Sequence, residues 1–151
     1  MITASEIVTL AFYANYDPGD IKSTYIEIAK DNILKPILGD DLFSDVSAGS
    51  PTPANVTLRD NYCKPLLAFA VKSMVIANTS PRATNIGASY GNVNNATASS
   101  EAKDDSINVN DQMVEQLKQR LISYLRDNST VYKFEEFRRN REFITKRIFI
   151  P

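Results

Sequence analysis

Residues 66–77 read Leu-Leu-Ala-Phe-Ala-Val-Lys-Ser-Met-Val-Ile-Ala, and no other stretch constrains the fold as much. A helix that is apolar nearly all the way round has to be enclosed by other elements. The run has 12 residues and contains Lys72, well short of the roughly 20 apolar residues that a membrane-spanning helix needs. It therefore belongs in the core of a soluble domain. Upstream, Leu58, Tyr62, Leu66, Phe69 and Ser73 fall on one face, with Leu67, Ala70, Met74 and Ala77 beside it. This spacing predicts a central helix from Asn55 or Thr57 to Asn78. Pro65 lies inside the pattern and predicts a kink or break after the first two turns.

Something must cover that helix, and three other amphipathic segments are available. Residues 4–13 form a short helix with Ser5 or Thr3 as its cap. Asp17-Pro18-Gly19-Asp20 announces a second helix, with Asp17 suited to the N-cap and Pro18 to the first helical position. Its apolar stripe runs through Ile21, Tyr25, Ile26, Ile28, Ala29 and Ile33. Pro36 should end or kink it near Leu34 or Lys35, Gly39 suits the position just past a helix end, and Asp40-Asp41-Leu42-Phe43 starts a further short helix. Residues 47–53 are a loop by composition. The last helix runs from about Asn108 or Asn110 to Arg126, with Val114, Leu117, Leu121, Tyr124 and Leu125 as its buried stripe. The expected fold class is mainly α, a small bundle of about four helices with a long central loop and an extended C-terminal tail. The expected division is a helical domain over 1–132 and a docking tail over 133–151.

With 151 residues the chain makes one domain. It has no histidine and a single cysteine, Cys63. Nucleophile systems that use His as base, and His-ligated metals, are therefore excluded. Cys63 reads as a small buried hydrophobe, since one thiol closes no intrachain disulfide. Asp40, Asp41 and Asp45 form a carboxylate trio near a helix start, and capping and solvation account for them better than a magnesium site does. No cofactor, metal or enzymatic activity is expected. Residues 1–16 lack a basic n-region and include Glu6, so no signal peptide is expected either.

Two segments depart from this pattern. Residues 78–105 have no helical period, and 83–100 contain no charged side chain. Connections this long in compact domains serve a function or remain disordered. Within it, Asn85, Ile86 and Gly87, then Tyr90, Gly91 and Asn92, alternate in the manner of a short β-hairpin. From 131 to 151, six basic residues face three acidic ones, a local balance of +3 in a chain of net charge −1. The basic cluster is Arg138, Arg139 and Arg141 beside Phe137, followed by the strand-like Phe143, Ile144, Thr145, Lys146, Arg147, Ile148, Phe149 and Ile150. An apolar strand with no partner in its own chain reads as a segment that docks on another chain by strand addition. Arginines beside aromatics can also contact phosphates and stack on bases, so a small helical nucleic-acid-binding regulatory protein is the alternative reading.

The run Tyr25-Ile26-Glu27-Ile28-Ala29-Lys30, then Ile33-Leu34-Lys35-Pro36-Ile37-Leu38-Gly39-Asp40-Asp41-Leu42-Phe43, resembles the helix-Pro-x-Leu-Gly-x-x-Leu-aromatic opening of head–tail connector (adaptor) proteins of tailed bacteriophages. The central apolar helix, the long neutral loop and a helix ending in Leu121-Ile122-Ser123-Tyr124-Leu125 extend the likeness over most of the chain. Only Pro36 and Gly39 carry over individually, as chain-shaping residues. The resemblance implies a structural virion protein that forms a ring, usually dodecameric, beneath the portal protein and above a tail or tail-completion protein. Double-stranded DNA would pass through the ring without sequence-specific binding. The implied location is the head–tail interface of the virion, and the host cytoplasm during assembly, with no membrane involved. The loop would face the channel or a neighbouring subunit, and the tail would grip the portal.

Overall fold

The computed structural model describes residues 1–12, 16–78 and 96–132, without the side chains of 96–106. The protein is mainly α, a small helical bundle, and no strand occurs among the described residues.

Helix α1 spans Ala4–Ala11 and opens on a capping box. The Glu6 N–H donates to Thr3 Oγ1 at 3.3 Å, and the Thr3 N–H donates to the Glu6 carboxylate at 2.8 Å, so two end donors are satisfied at once. Thr3 is thus the cap, and Ile7, Val8 and Ala11 form the buried face. Asp17 does cap a turn, accepting the Gly19 N–H at 2.8 Å, but the turn is a single 3-10 turn, Pro18–Asp20. Ile21 and Lys22 then adopt extended backbone, Ile21 is buried, and helix α2 begins only at Ser23. The expected helix start is corrected by two residues of extended chain that carry Ile21 into the core.

Helix α2 (Ser23–Ala29) passes through a π-helical turn, π1 (Lys30–Leu34), into helix α3 (Lys35–Leu38) without leaving helical backbone. The helix is thus interrupted up to Leu34, where Pro36 was expected to end or kink it, but it does not end there. A proline inside an α-helix lacks the N–H its turn needs, and its ring meets the carbonyl four residues back. The π-turn meets this by inserting an extra residue, so that the Lys35 N–H donates to the Lys30 carbonyl five residues back. The helix stops at Gly39, whose φ of 77° and ψ of 167° suit a residue without Cβ. Gly39 ends α3 and also precedes helix α4 (Asp40–Ser47).

Thr52 caps helix α5 (Pro53–Leu58), accepting the Asn55 N–H at 3.3 Å. A second π-turn, π2 (Arg59–Cys63), leads into helix α6 (Lys64–Asn78) and absorbs Pro65 as π1 absorbs Pro36. Helix α6 is the centre of the bundle, with α1, α2 and α7 packed on it. Leu66, Leu67, Ala68 and Val71 are fully buried. Lys72 is accommodated at the edge of this core with its ammonium 5.7 Å from the Phe12 ring centre and 5.6 Å from that of Phe69.

Helix α7 runs Ala96–Asp127. Its start lies a dozen residues before the expected Asn108 or Asn110, so the second part of the expected 78–105 loop is helical. Apolar period marks only a helix that faces a core, and these first turns have none. The helix formers Ala96, Ala98, Glu101, Ala102 and Lys103 carry the backbone there by propensity. Leu121 and Leu125 enter the core. Asn110 is buried too, its amide donating to the Phe69 carbonyl at 2.8 Å and to Ser73 Oγ.

Candidate functional site

The loop residues Asn85, Ile86, Gly87, Tyr90, Gly91 and Asn92 lie outside the described residues, as does the whole of the tail from Phe137 through Arg138, Arg139 and Arg141 to Ile150. The described residues instead present two built features that no motif search singles out: a repeated turn, and an aromatic stack from which the tail departs.

The turn is written twice in the chain. Lys30-Asp31-Asn32-Ile33-Leu34-Lys35-Pro36-Ile37-Leu38 recurs 29 positions later as Arg59-Asp60-Asn61-Tyr62-Cys63-Lys64-Pro65-Leu66-Leu67. Asp, Asn, Lys, Pro and the final Leu are identical, and the other pairs keep the apolar or basic character of the position. The two copies fold alike, each as a five-residue π-turn followed by an α-helix that begins on the shared Lys. They also bury alike, with Leu34 and Cys63, Ile37 and Leu66, and Leu38 and Leu67 inside, and Asn32 and Asn61 in water. Comparing the sequence with itself would have found the repeat, because Asp-Asn-x-x-Lys-Pro occurs at both sites.

Their surroundings differ. In the second copy Lys64 is gripped from two sides, by Glu6 of α1 at 2.7 Å and by Asp60 at 3.0 Å, while Arg59 Nε donates to Asp60 at 2.8 Å. The Lys64 hydrogen bond holds the Glu6 carboxyl below its usual value, and the same bond raises Lys64. The Arg59 hydrogen bond holds Asp60 down to about 2 against the desolvation that opposes it. In the first copy, Lys30 pairs with Glu27 at 2.8 Å and Lys35 with the exposed Asp40 at 3.1 Å. Glu27 belongs to α2 itself and Asp40 opens the next helix, α4, so both partners are near in sequence, whereas Glu6 reaches the second copy across 58 positions of chain.

The aromatic stack sits where α7 ends. Tyr62 of π2 and Tyr124 of α7 stack with ring centres 4.0 Å apart, Tyr132 leans on Tyr124 at 5.9 Å, and the Arg120 guanidinium lies 5.3 Å from the Tyr62 ring centre. Tyr132 is buried and its hydroxyl donates to the Ala54 carbonyl at 2.8 Å. Burial, reinforced by hydrogen bonding with Tyr124, raises the Tyr132 phenol above its ordinary value and keeps it a donor. Tyr132 thus fastens the last described residue to the start of α5, and the basic, aromatic segment 133–151 leaves from this point.

The remaining reactive groups are quiet. Cys63 is fully buried, and burial pushes its thiol up to about 12, so little thiolate exists at neutral pH. Asp40 and Asp41 occupy the first turn of α4, and among the described residues no group of three His, Cys, Asp or Glu side chains could hold a metal ion. No helix of the described residues is long and apolar enough to cross a membrane. A family model described as a family of unknown function, DUF6712, matches residues 34–146. No curated protein and no solved structure matches the chain.

Proposed function

The chain belongs to the DUF6712 family of unknown function, and for this member we propose the role of a head–tail connector of a tailed bacteriophage, a non-enzymatic structural protein that joins portal and tail. The observation that carries the reading is the anchoring of Tyr132. A helical bundle fixes the exit point of a segment that is basic, aromatic and strand-like, and a segment of that chemistry docks on a partner chain. The partner in this reading is the portal protein, reached through Phe137, Arg138, Arg139, Arg141 and the residues from Phe143 to Ile150.

The likeness of residues 25–43 to the connector opening supports the same function, since Gly39 turns the chain sharply between α3 and α4. A loop over 83–100 without charge suits a DNA conduit, because each cation along it would add a salt-dependent hold on a polymer that has to slide. Copies of the chain form a ring in this reading, with a tail or tail-completion protein below it.

The test is co-sedimentation with the portal protein of the same phage, with electron microscopy of the product. The full chain should add a ring to the portal, and a chain stopped after Arg141 should stay folded and fail to bind. Portal binding by the shortened chain overturns the anchoring role. Failure of the full chain to bind portal, with tight salt-sensitive binding to DNA instead, would favour the nucleic-acid-binding alternative.

A further inference from the structure

We propose that in the free protein the basic segment 133–151 latches onto the outer face of α4 of its own chain. The charges of the sequence are sorted for such a contact. Residues 17–45 hold seven carboxylates against three lysines, a local balance of −4, while 131–151 balance at +3. The remainder carries eight basic and eight acidic side chains, so the net charge of −1 lies wholly in two segments of opposite sign.

In the fold the acidic segment is short of cations. Lys30 is taken by Glu27 and Lys35 by Asp40, and the Lys22 ammonium lies 5.8 Å from the Tyr25 ring centre. Among the described residues no basic side chain pairs with Asp20, Asp31, Asp41 or Asp45, and all four are exposed. Asp41 and Asp45 stand four residues apart on one line of α4, with the exposed Ser44 beside them. Asp45 lies in the last turn, which holds no basic residue, so its charge adds to the negative end of the helix. Two like charges and a helix end of the same sign raise one another's energy, and a cation brought to this face relieves all three.

The place where the described chain ends says which cation reaches it. Tyr132 is fastened to Ala54 of α5, and α5 packs on α4. Arg138, Arg139 and Arg141 follow Tyr132 by six to nine residues, a reach of about 20–30 Å in extended chain. Ser47, where α4 ends, is seven residues before Ala54 and so at most about 25 Å from it. A partner tethered at this range acts at an effective concentration on the order of mM, so in dilute solution the tail of the same chain outcompetes that of another copy. Guanidinium groups bind carboxylates in bidentate fashion, and at an exposed face the hold stays weak and salt-sensitive, as suits a latch that has to open. The latch itself does not rest on the connector reading. In that reading, portal and α4 compete for one segment.

A nitroxide spin label on full-length Asn140→Cys reads the contact, since the native thiol of Cys63 is buried away from the reagent. In dilute protein the label should broaden the amide resonances of residues 40–47, and to the same extent at about tenfold higher concentration. Salt at about 0.5 M should abolish the broadening. Asp41→Lys with Asp45→Lys should abolish it too, with the helical circular dichroism unchanged, and adding Arg138→Glu with Arg139→Glu should bring it back. Absence of broadening, broadening that grows with concentration, or broadening that survives the two aspartate substitutions overturns the latch. The aspartate double variant should also bind portal about tenfold more tightly, if the native latch is closed nine-tenths of the time. A latch seen by the label without any such gain removes the tail as the portal anchor and leaves the latch standing.

Discussion

Single residues decide where the chain bends and how its charges behave with pH. Gly39 holds φ of 77° at a junction shared by α3 and α4, a region that L side chains occupy only under strain. Gly39→Ala should cost about 1–3 kcal/mol in a urea unfolding experiment. Asp60 titrates at about 2 in the fold against an ordinary value of 3.8, chiefly through the Arg59 hydrogen bond, and Glu6 is lowered through Lys64. A carboxyl lowered by folding stabilises the fold fully above its ordinary value and loses that contribution as pH falls toward the folded value. Stability should therefore drop between about pH 4 and pH 2, and Asp60→Asn should flatten part of that drop. An unaltered acid limb in the variant would show that this ion cluster does not couple to folding.

Within elements, the places of the caps and of the proline interruptions were legible, and the form of the interruptions was not. Gly39 announces its role locally, Thr3 was one of two candidates that its bond with Glu6 decides, and Asp17 caps a 3-10 turn and not the helix expected to follow it. Pro36 and Pro65 announce a disturbance, but whether a helix breaks or takes a π-turn depends on whether the flanking residues are buried on one continuous face. Here Leu34, Ile37 and Leu38, and again Cys63, Leu66 and Leu67, hold the rod together across the turn. The true start of α7 was hidden for the opposite reason, since its first turns have helix propensity without an apolar stripe. The aromatic stack was out of reach too, as Tyr62, Tyr124 and Tyr132 come from three separate segments. Tyr132→Phe keeps the ring and removes the hydrogen bond to Ala54, so it should cost about 0.5–1.5 kcal/mol. It should also speed hydrogen exchange at residues 128–132, and unchanged exchange there would mean the hydroxyl does not fasten the end of the bundle.

For the whole molecule, the mainly α architecture and the central place of α6 could be read from the run at 66–77, because a helix without a polar face has only one destination. The proposed docking surfaces were harder, since a surface that only attaches would need no reactive constellation and would leave no catalytic motif. Among the described residues the core runs from Ile2 to Tyr132. If 133–151 is the docking tail proposed above, a chain stopped after Tyr132 should keep its helical signal and unfold within about 0.5 kcal/mol of the full protein. A large loss of stability would make 133–151 part of the fold and not an appendage to it.

The 32 residues of α7 span about 48 Å end to end. One end receives the segment 79–95 and the other, through Tyr132, releases 133–151. In the connector proposed above, the helix would act as a rigid ruler between the two stretches of chain that meet neighbours. A pull on the tail would then pass along a stiff rod, and helix length would set the spacing between the two attachment levels.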